Sequence, residues 1–382
     1  MSAPVLLLTH LDKTARWMRR GGREGDVVLS SRVRLARNLK RYTFPHLAGT
    51  QDLLSIRQRA FLALEKSASA APDALFVLPF EEFTGWERQS LIDRHFSSRE
   101  HIKDELGRAV AATADGSLSV LIHEEDHLRL QSLLPGLQFD AAYAVVDKMD
   151  DALEAHFDGR GGLAFDPQFG YLTACPTNAG TGLRVSAMLH LPALEIASRL
   201  EKTRKWAQSR GLALRGTFGE GSKVWGHLHQ LSNQVTLGMD EAEILLEMDA
   251  ATREICDQER AARAMLSQTL GVEARDRIGR AFGTLRYART ISCREATDAL
   301  SLVRLGHELG WLKGLSRQRF NELLVWIRPA YLQVLHGRSI AGAERDTLRA
   351  TLLRPHIARV KLESVFEADV APPSKSDTAE YA

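Results

Sequence analysis

Arginines stand inside apolar segments of this sequence, where a buried core would not tolerate them unpaired. The segment Val28–Arg34 reads VLSSRVR and places Arg32 and Arg34 two residues apart. In a strand, residues two apart point to the same face, so both guanidiniums would face one side. Arginine suits phosphate because its planar fork donates two parallel hydrogen bonds. The segment therefore predicts either an anion site or an edge strand with two solvated arginines.

A second cluster of charges follows a predicted strand. Residues 122–129 read IHEEDHLR, with three consecutive carboxylates between two histidines. Such a cluster could bind a metal, act as a general base, or cap a helix with its acidic residues. The HExxH spacing of zinc proteases is absent, which excludes that class.

Two further segments combine glycines with reactive side chains. Residues 171–184 read YLTACPTNAGTGLR and place Cys175 between a strand and a turn-rich loop. A free cysteine is most often a small buried hydrophobe, but a strand–loop junction also suits a functional thiolate. Residues 214–222 read LRGTFGEGS, with Arg215 at a strand end and Glu220 between glycines. That loop is either an ordinary surface turn or a gate that closes over substrate.

The elements that must position these side chains change character near residue 240. Before it, strands and helices alternate without a βαβ rhythm, which indicates an α+β fold with a largely antiparallel sheet. The predicted strands are Ser117–His123, Gly170–Ala174, Leu183–His190, Leu212–Thr217 and His227–Leu237. The predicted helices are Asp52–Ser69, Gly85–His95, Asp151–Phe157 and Leu194–Ala207. After it, helical periodicity dominates at Asp240–Leu270, Ala274–Arg289, Ser292–Leu309, Phe320–His336 and Gly342–Arg354.

Composition sets the broad class. The 382 residues include 44% hydrophobic and 26% charged residues, which is typical of a globular protein with two domains. A net charge of +2 gives no signal for a nucleic-acid or membrane partner. Three cysteines without a CxxC pair indicate neither a zinc ribbon nor a disulfide framework, and fit a cytoplasmic setting. We predict a catalytic domain over 1–245, a helical domain over 246–360 and a disordered tail over 361–382.

Together, these motifs resemble the phosphagen (ATP:guanido) kinase family over about residues 26–240. CPTNAGT at 175–181 looks like the family's CP[ST]NxGT signature, and EEDHLR and RGTFGE agree with it in order and context. Within the family, the chain looks closest to the bacterial protein arginine kinases. Met188 replaces a nucleotide-binding histidine of the metabolic enzymes, and Phe218 replaces an arginine. RDTLRA at 345–350 is similar to the RDxxRA motif of that group.

The resemblance implies phosphorylation of arginine residues in proteins, with ATP and Mg²⁺ as cofactors and no metal site built by the protein alone. Glu125 would be the base, with Glu220 as its partner, Glu124 beside it and Cys175 next to the guanidinium. The implied nucleotide-binding residues are Ser30, Ser31, Arg32, Val33, Arg34, His95, Arg129, Arg184, Val185, Ser186, Ala187, Met188, Arg215, Gly216, Thr217, Phe218, Gly219 and Glu220. The implied allosteric phosphoarginine-binding residues are Arg345, Asp346, Arg349 and Ala350, unless this motif is only a salt bridge on a helix surface.

The resemblance also implies partners. These are protein substrates carrying arginine, an Hsp100-type Clp protease system, a stress-response repressor, an activator protein and a second copy in a homodimer. The phosphorylation would mark proteins for regulated degradation. Two other functions remain open from the same residues: a kinase of free arginine or another small guanidino compound, and an inactive phosphoarginine-binding adaptor. The intact set of Glu125, Glu220 and arginines argues against the adaptor.

Overall fold

The computed structural model describes residues 15–19, 21–158, 161–216, 224–269 and 271–367. Its strands are β1 (Val28–Arg37), β2 (Leu75–Pro79), β3 (Ala109–Thr113), β4 (Leu118–Ile122), β5 (Leu128–Pro135), β6 (Phe165–Asp166), β7 (Gly170–Tyr171), β8 (Leu183–His190), β9 (Leu212–Gly216), β10 (Leu228–Asn233), β11 (Leu312–Lys313) and β12 (Lys361–Leu362). Eight of these described strands form one sheet in the order β2-β3-β4-β5-β1-β8-β10-β9. Every neighbouring pair in it is antiparallel, which confirms the predicted fold class.

The helices divide into two groups along the chain. The first group comprises α1 (Thr50–Lys66), α2 (Gly85–Asp93), α3 (Phe139–Asp158), α4 (Pro192–Ile196) and α5 (Leu200–Ser209). The second comprises α6 (Glu241–Thr269), α7 (Gly271–Tyr287), α8 (Cys293–Glu308), α9 (Arg317–Trp326), α10 (Pro329–His336), α11 (Gly342–Ile357) and α12 (Ser364–Glu367). In the described part of the chain, none of these helices is long and apolar enough to cross a membrane.

Helix α3 shows how one face of the sheet is covered. Its buried residues recur every three or four positions and form one apolar stripe. These residues are Phe139, Ala142, Val146, Met149, Leu153 and Phe157. The stripe packs across β1 and β5, so the side chains that β1 points toward α3 lie in the core. The opposite face of β1 is left for polar side chains.

Two predicted boundaries need correction. The domain boundary at residue 245 falls inside α6, whose Ile255 and Leu266 belong to the same core as the sheet. The tail predicted to be disordered from residue 361 begins with a strand, because β12 pairs with β11, and α12 follows it. Residues 368–382 lie outside the described residues.

Two helices predicted as continuous are each interrupted. Ser198 takes a left-handed φ of 56°, which separates α4 from α5 within the predicted helix Leu194–Ala207. Pro329 begins α10 after α9 has ended at Trp326, because proline cannot donate the hydrogen bond that would continue a helix.

Candidate active site

Strand β1 lies in the middle of the sheet, and its pairing brings arginines from neighbouring strands to one face. Arg34 lies directly opposite Gln131 of β5 and Arg184 of β8. Directly paired residues point to the same side of a sheet. The same rule places Arg129 beside Ala36, and Arg215 beside Gln230. We call the resulting surface the arginine face, defined by Arg32, Arg34, Arg129, Arg184 and Arg215.

Four residues predicted to bind nucleotide point away from this face. The side chains of Ser31, Val33, Val185 and Ala187 are fully buried in the core. The Ser31 hydroxyl donates to the Gly136 carbonyl at 2.8 Å and accepts from the backbone N–H of residue 138 at 2.9 Å. Side chains alternate along a strand, so only every second residue of each motif reaches the arginine face. The side chains of these four residues therefore cannot line a nucleotide site there.

Two guanidiniums of the arginine face, those of Arg34 and Arg184, carry positive charge that no carboxylate of the described residues neutralises by an ion pair. Arg34 and Arg184 form a like-charge pair directly across β1 and β8, an arrangement that is destabilising by itself. In the described part of the chain, neither guanidinium pairs with a carboxylate, and the Nε of each is buried without a hydrogen-bond partner. A buried donor without a partner is costly, so this surface is built to receive an anion.

The pKa values on this face reflect the same crowding. Burial first, and then the charges of Arg184 and Arg129, lower the pKa of Arg32 to about 10. Burial and the neighbouring guanidiniums hold the pKa of Arg34 well below its ordinary value. Burial, followed by Arg215 and Arg129, lowers the pKa of Arg184. A bound anion would relieve this repulsion.

Glu124 and Glu125 flank the arginine face from the loop between β4 and β5, which excludes the helix-cap alternative. Both pair with Arg129, whose Nη1 lies 2.5 Å from Glu124 and whose Nη2 lies 3.0 Å from Glu125. The Glu124 side chain is 4% exposed and accepts from the Ser98 hydroxyl at 2.6 Å, whereas that of Glu125 is 42% exposed. Burial raises the pKa of Glu124, but Arg129, Ser98 and a backbone N–H together outweigh burial and lower it. Glu124 is therefore fixed, while Glu125 is accessible to a substrate.

The other ionisable residues of this loop hold it in place. The Nε2 of His123 bonds to the Leu53 carbonyl at 3.0 Å, and that of His127 bonds to the Thr43 carbonyl at 3.0 Å. Burial lowers the pKa of His123 to about 3 and that of His127 to about 4, so both rings are neutral near pH 7. Within the described ranges, no group of three or more such side chains is arranged to hold a metal ion. The metal alternative for residues 122–129 is therefore not supported.

Asp126 ties this loop to the segment that carries Cys175. One of its oxygens accepts from the Asn38 side-chain amide and from the Ala174 backbone N–H, both at 2.7 Å. The same Asn38 side chain accepts from the backbone N–H of His127 at 2.8 Å. Sequence reasoning missed Asn38, because no motif marks a residue that only joins two loops.

Cys175 is partly buried next to this junction. Its Sγ lies 3.0 Å from the Thr177 hydroxyl, in the short turn that precedes β8. Cys175 and Glu125 both oppose the lowering of the Arg184 pKa, so both lie near that guanidinium. Glu125 and Cys175 thus lie within electrostatic range of Arg184.

His95 lies at the other end of the arginine face. It shares a small cavity with Ser30, Arg32, Met188 and Gln230. Burial, then the charges of Arg32 and Arg328, lower the pKa of His95 to about 3, so its ring is neutral near pH 7. His95 has a φ of 67°, which is unusual for a residue other than glycine and is typical of positions constrained by function.

Further contacts complete this end of the face. The Gln131 side chain donates to the His95 carbonyl at 2.6 Å. Ser186 accepts from the Arg32 Nε at 3.3 Å, and Gln230 accepts from its Nη2 at 2.8 Å. Sequence reasoning missed both glutamines, since single polar residues in strands carry no signal of their own.

The loop that follows β9 contributes the remaining predicted residues. Gly216 closes β9. Thr217, Phe218, Gly219 and Glu220 lie outside the described residues. Their roles stay predictions from the sequence.

The residues of the RDTLRA motif lie on α11, far along the chain from the arginine face. Arg349 was predicted to be open to a phosphate, but its side chain is 1% exposed. Its Nε donates to the Ile327 carbonyl and its Nη1 to the Ile291 carbonyl, both at 2.7 Å. Its Nη1 also pairs with Asp346 at 2.5 Å. Arg349 therefore joins three segments of the helical region.

The other residues of the motif differ in exposure. Ala350 is buried, and Arg345 is partly buried near the start of α11. Arg345 and Asp346 are the two members of the motif that a ligand could reach.

Comparison with known proteins identifies the family of this chain. The family model of the ATP:guanido phosphotransferase C-terminal catalytic domain matches residues 55–262, and that of the protein-arginine kinase McsB C-terminal domain matches residues 272–368. This chain belongs to the protein-arginine kinase family of ATP:guanido phosphotransferases. The protein-arginine kinase of Moorella thermoacetica is 41% identical over 350 residues, which cover 91% of this chain and 99% of that protein. The protein-arginine kinase of Geobacillus stearothermophilus is 38% identical over 356 residues, which cover 92% and 96%.

Solved structures support the fold independently. A lombricine kinase matches with a TM-score of 0.56 and 23% identity, covering 66% of this chain and 70% of that one. A duplicated taurocyamine kinase from Schistosoma mansoni matches with a TM-score of 0.54 and 23% identity, covering 62% of this chain and 33% of that one. At this identity the two structures show a shared fold.

Proposed function

We propose that this kinase transfers the terminal phosphoryl group of ATP to the guanidinium of arginine residues in proteins. The observation that carries the proposal is the like-charge pair of Arg34 and Arg184, whose buried Nε groups have no partner in the described residues. Triphosphate oxygens would supply the missing acceptors and neutralise the repulsion. Phosphoryl transfer depends on such positioning and charge stabilisation more than on covalent help from the enzyme.

The reaction requires a base beside the anion site. An arginine guanidinium has a pKa above ~12, so it is protonated and a poor nucleophile near pH 7. The carboxylate of Glu125 is exposed enough to align that cation and to take its proton. A nitrogen–phosphorus bond forms, the bond from the γ-phosphorus to the bridging oxygen breaks, and ADP leaves. Cys175 would contact the same guanidinium. Glu220 would be the second carboxylate, acting as the partner of Glu125.

Mg²⁺ enters this scheme as part of the substrate Mg·ATP. Mg²⁺ is usually held by phosphate oxygens and water, with one or two carboxylates. A nucleotide on the arginine face would therefore bring most of the ligands of the ion with it. His95, Ser30, Ser186 and Met188 would surround the base and ribose end.

A second cavity supports a protein as the phosphate acceptor. It has a volume of about 580 Å³, lies beside Glu124, Glu125 and Ala174, and extends to Leu53 and Leu106. Pockets of this size enclose ligands as large as drug molecules, so the cavity leaves room beside Glu125 for an arginine together with neighbouring residues of a protein. The names of the relatives agree with this acceptor.

We also propose the finer functions that the resemblance implies. Arg345 would bind the phosphate of a phosphoarginine and Asp346 its nitrogen side, while Arg349 holds Asp346 in place. Binding there would regulate the kinase, which would act as a cytoplasmic homodimer. The substrates would include a stress-response repressor and proteins destined for an Hsp100-type Clp protease, and an activator protein would assist.

The test is incubation with Mg·ATP and a generic protein such as casein, or with free arginine. Mass spectrometry and acid lability of the phosphate identify the products. We expect acid-labile phosphate on protein arginines, and about 10²-fold less or lower still after Glu125→Gln. Product on free arginine alone would contradict the proposal, and phosphate on serine or threonine would contradict the chemistry.

A further inference from the structure

The base and ribose end of the proposed nucleotide site has a wall that comes from the helical region. A cavity of about 290 Å³ is lined on the catalytic side by Ser30, Arg32 and His95. Its lining also includes Arg328 and Val325, which belong to the end of α9 and the turn after it. The site is therefore shaped by two regions that are distant in the sequence.

The segment that carries Arg328 is held in this wall by contacts of Arg328 and of its neighbours. Its Nε donates to the Leu324 carbonyl at 3.2 Å. The preceding residue, Ile327, is fully buried, and its carbonyl accepts from the Nε of Arg349 at 2.7 Å. Two residues further on, the Ala330 N–H donates to the Asp93 carboxylate at 3.3 Å. A guanidinium on such an anchored segment is pre-organised, which lowers the entropy cost of binding a ligand.

The chemistry of this cavity suits a purine nucleoside. The ring of Trp17 lies 5.3 Å from that of His95 in an edge-to-face arrangement, so aromatic surfaces line one part of the cavity. The hydroxyl of Ser97 and the carboxylate of Asp93 line another part. Arg328 lies close enough to influence the pKa values of His95 and Asp93. Guanidinium planes stack on aromatic rings and donate to ring nitrogens and hydroxyls.

We propose that Arg328 binds the base and ribose end of the nucleotide, so that the helical region completes the catalytic site. This inference rests on the proposed function, which places the phosphates on the arginine face. Because Arg349 holds the carbonyl next to Arg328, the segment that carries Asp346 is also joined to the nucleotide site by direct contact.

Titration calorimetry on the full chain tests the proposal with two probes, ADP and inorganic pyrophosphate. Because Arg328→Ala removes one charged contact with the nucleotide, we expect it to raise the Kd of ADP about tenfold. The Kd of pyrophosphate should stay within about twofold, because pyrophosphate reaches only the arginine face. The control Arg338→Ala removes an exposed arginine that pairs with Glu344, and should leave both constants unchanged.

Each outcome decides the matter. An unchanged Kd for ADP in Arg328→Ala, or equal weakening of ADP and pyrophosphate, would overturn the proposal while leaving the proposed function standing. Failure of the unaltered protein to bind ADP would overturn both this proposal and the proposed function.

If Arg328→Ala does not fold, Arg328→Gln replaces it, and the KM for ATP should rise while kcat stays within about twofold. A fall in kcat with no change in KM would then contradict the assignment.

Discussion

Two arginine-rich regions of this kinase have opposite electrostatics. On the arginine face, Arg34 and Arg184 oppose each other with no carboxylate between them in the described residues. Near the junction of α6 with the start of β1, Arg260 pairs with Asp26 at 2.6 Å and with Glu24. Arg263 pairs with the same Asp26 at 3.1 Å and with a buried glutamate of α6 at 3.0 Å. We call this second region the Asp26 network.

The pKa values of Arg32 on the arginine face and Arg260 in the Asp26 network shift in opposite directions. Burial and like charges lower the pKa of Arg32 to about 10, whereas the hydrogen bond to Asp26 raises the pKa of Arg260 above its ordinary value. Arginines that pair with carboxylates stabilise the fold. Arginines that repel each other destabilise it until an anion binds between them. Within the described residues, the absence of a carboxylate partner therefore sets Arg34 and Arg184 apart from the arginines of the Asp26 network.

The largest effect should come from removing one member of the repelling pair. Arg34→Met keeps much of the apolar stem but removes a donor to the transition state, so turnover should fall about 10³-fold. The unfolding midpoint should stay level or rise, because one repulsive charge is gone. Steady-state kinetics and calorimetric unfolding check both. Arg210→Met, which removes an exposed arginine paired with Glu247, is the matched control. A loss of stability in Arg34→Met without loss of turnover would show that Arg34 is structural, like the arginines of the Asp26 network.

The carboxylate beside the arginine face should give the next largest effect. Glu125→Gln preserves shape but cannot take the proton, so phosphorylation should fall about 10²-fold or more. The affinity for ADP should remain within about threefold. Glu100→Gln, at an exposed pair with Lys103, serves as the control in the same assay. Near-normal turnover would remove Glu125 from the mechanism.

Breaking the Asp26 network should affect stability instead of catalysis. Asp26→Asn leaves the guanidiniums of Arg260 and Arg263 without their shared partner. The free energy of unfolding should therefore fall by about 2 kcal/mol at pH 7, which lies between the contributions of surface and buried ion pairs. Turnover per folded molecule should be unchanged. Asp257→Asn is the control, because Asp257 pairs with the same Arg260 but is 75% exposed. Equal losses in the two variants would show that the network adds nothing.

The pH dependence of that loss has a definite sign. Burial raises the pKa of Asp26, but the hydrogen bond and charge of Arg260, together with the charge of Arg263, outweigh burial and lower it below 3.8. Its ionised form therefore stabilises the fold above about pH 4, and the contribution disappears as the pH falls through the lowered pKa. The deficit of Asp26→Asn should be largest at pH 7 and smaller at pH 3 in urea titrations.

The smallest expected effect concerns the helical region. Asp346→Ala should weaken the binding of free phosphoarginine at least tenfold, because the carboxylate would contact its nitrogen side. Calorimetric titration measures this, with Glu344→Ala as a control two residues earlier, at the exposed pair with Arg338. Equal affinities in the variant and the unaltered protein would leave Asp346 as a partner of Arg349 alone.

The sequence predicted the arginine face well because its signal is local. Arg32 and Arg34 lie two apart in one strand, and the sheet face they share follows from that spacing. Strands β2, β3 and β5 were missed. In the fully buried β3, the continuous apolar run AVAAT has no alternation to mark it as a strand. The antiparallel class was still correct, since it depended on the absence of a βαβ rhythm.

Partners distant in the chain could not be predicted. Asn38 joins Asp126 to the Cys175 loop, and Arg349 bonds to two carbonyls, only after the chain has folded. For the same reason, the sequence could not tell that Arg349 bonds to two carbonyls and pairs with Asp346, while the Nε of Arg184 has no partner in the described residues. Each is an arginine in a motif, and only the three-dimensional contacts separate them.

The most direct test of this account is the ADP-dependent shift in the unfolding midpoint of two variants, Arg184→Ala and Arg260→Ala. A ligand at 100 times its Kd stabilises a protein by about 2.7 kcal/mol, so the shift is measurable. We predict that Arg184→Ala unfolds no earlier than the unaltered protein without ADP and loses the shift. Arg260→Ala should unfold earlier and keep the shift. A normal ADP shift in Arg184→Ala, with a lowered midpoint in its absence, would contradict the assignment of the arginine face as the phosphate site.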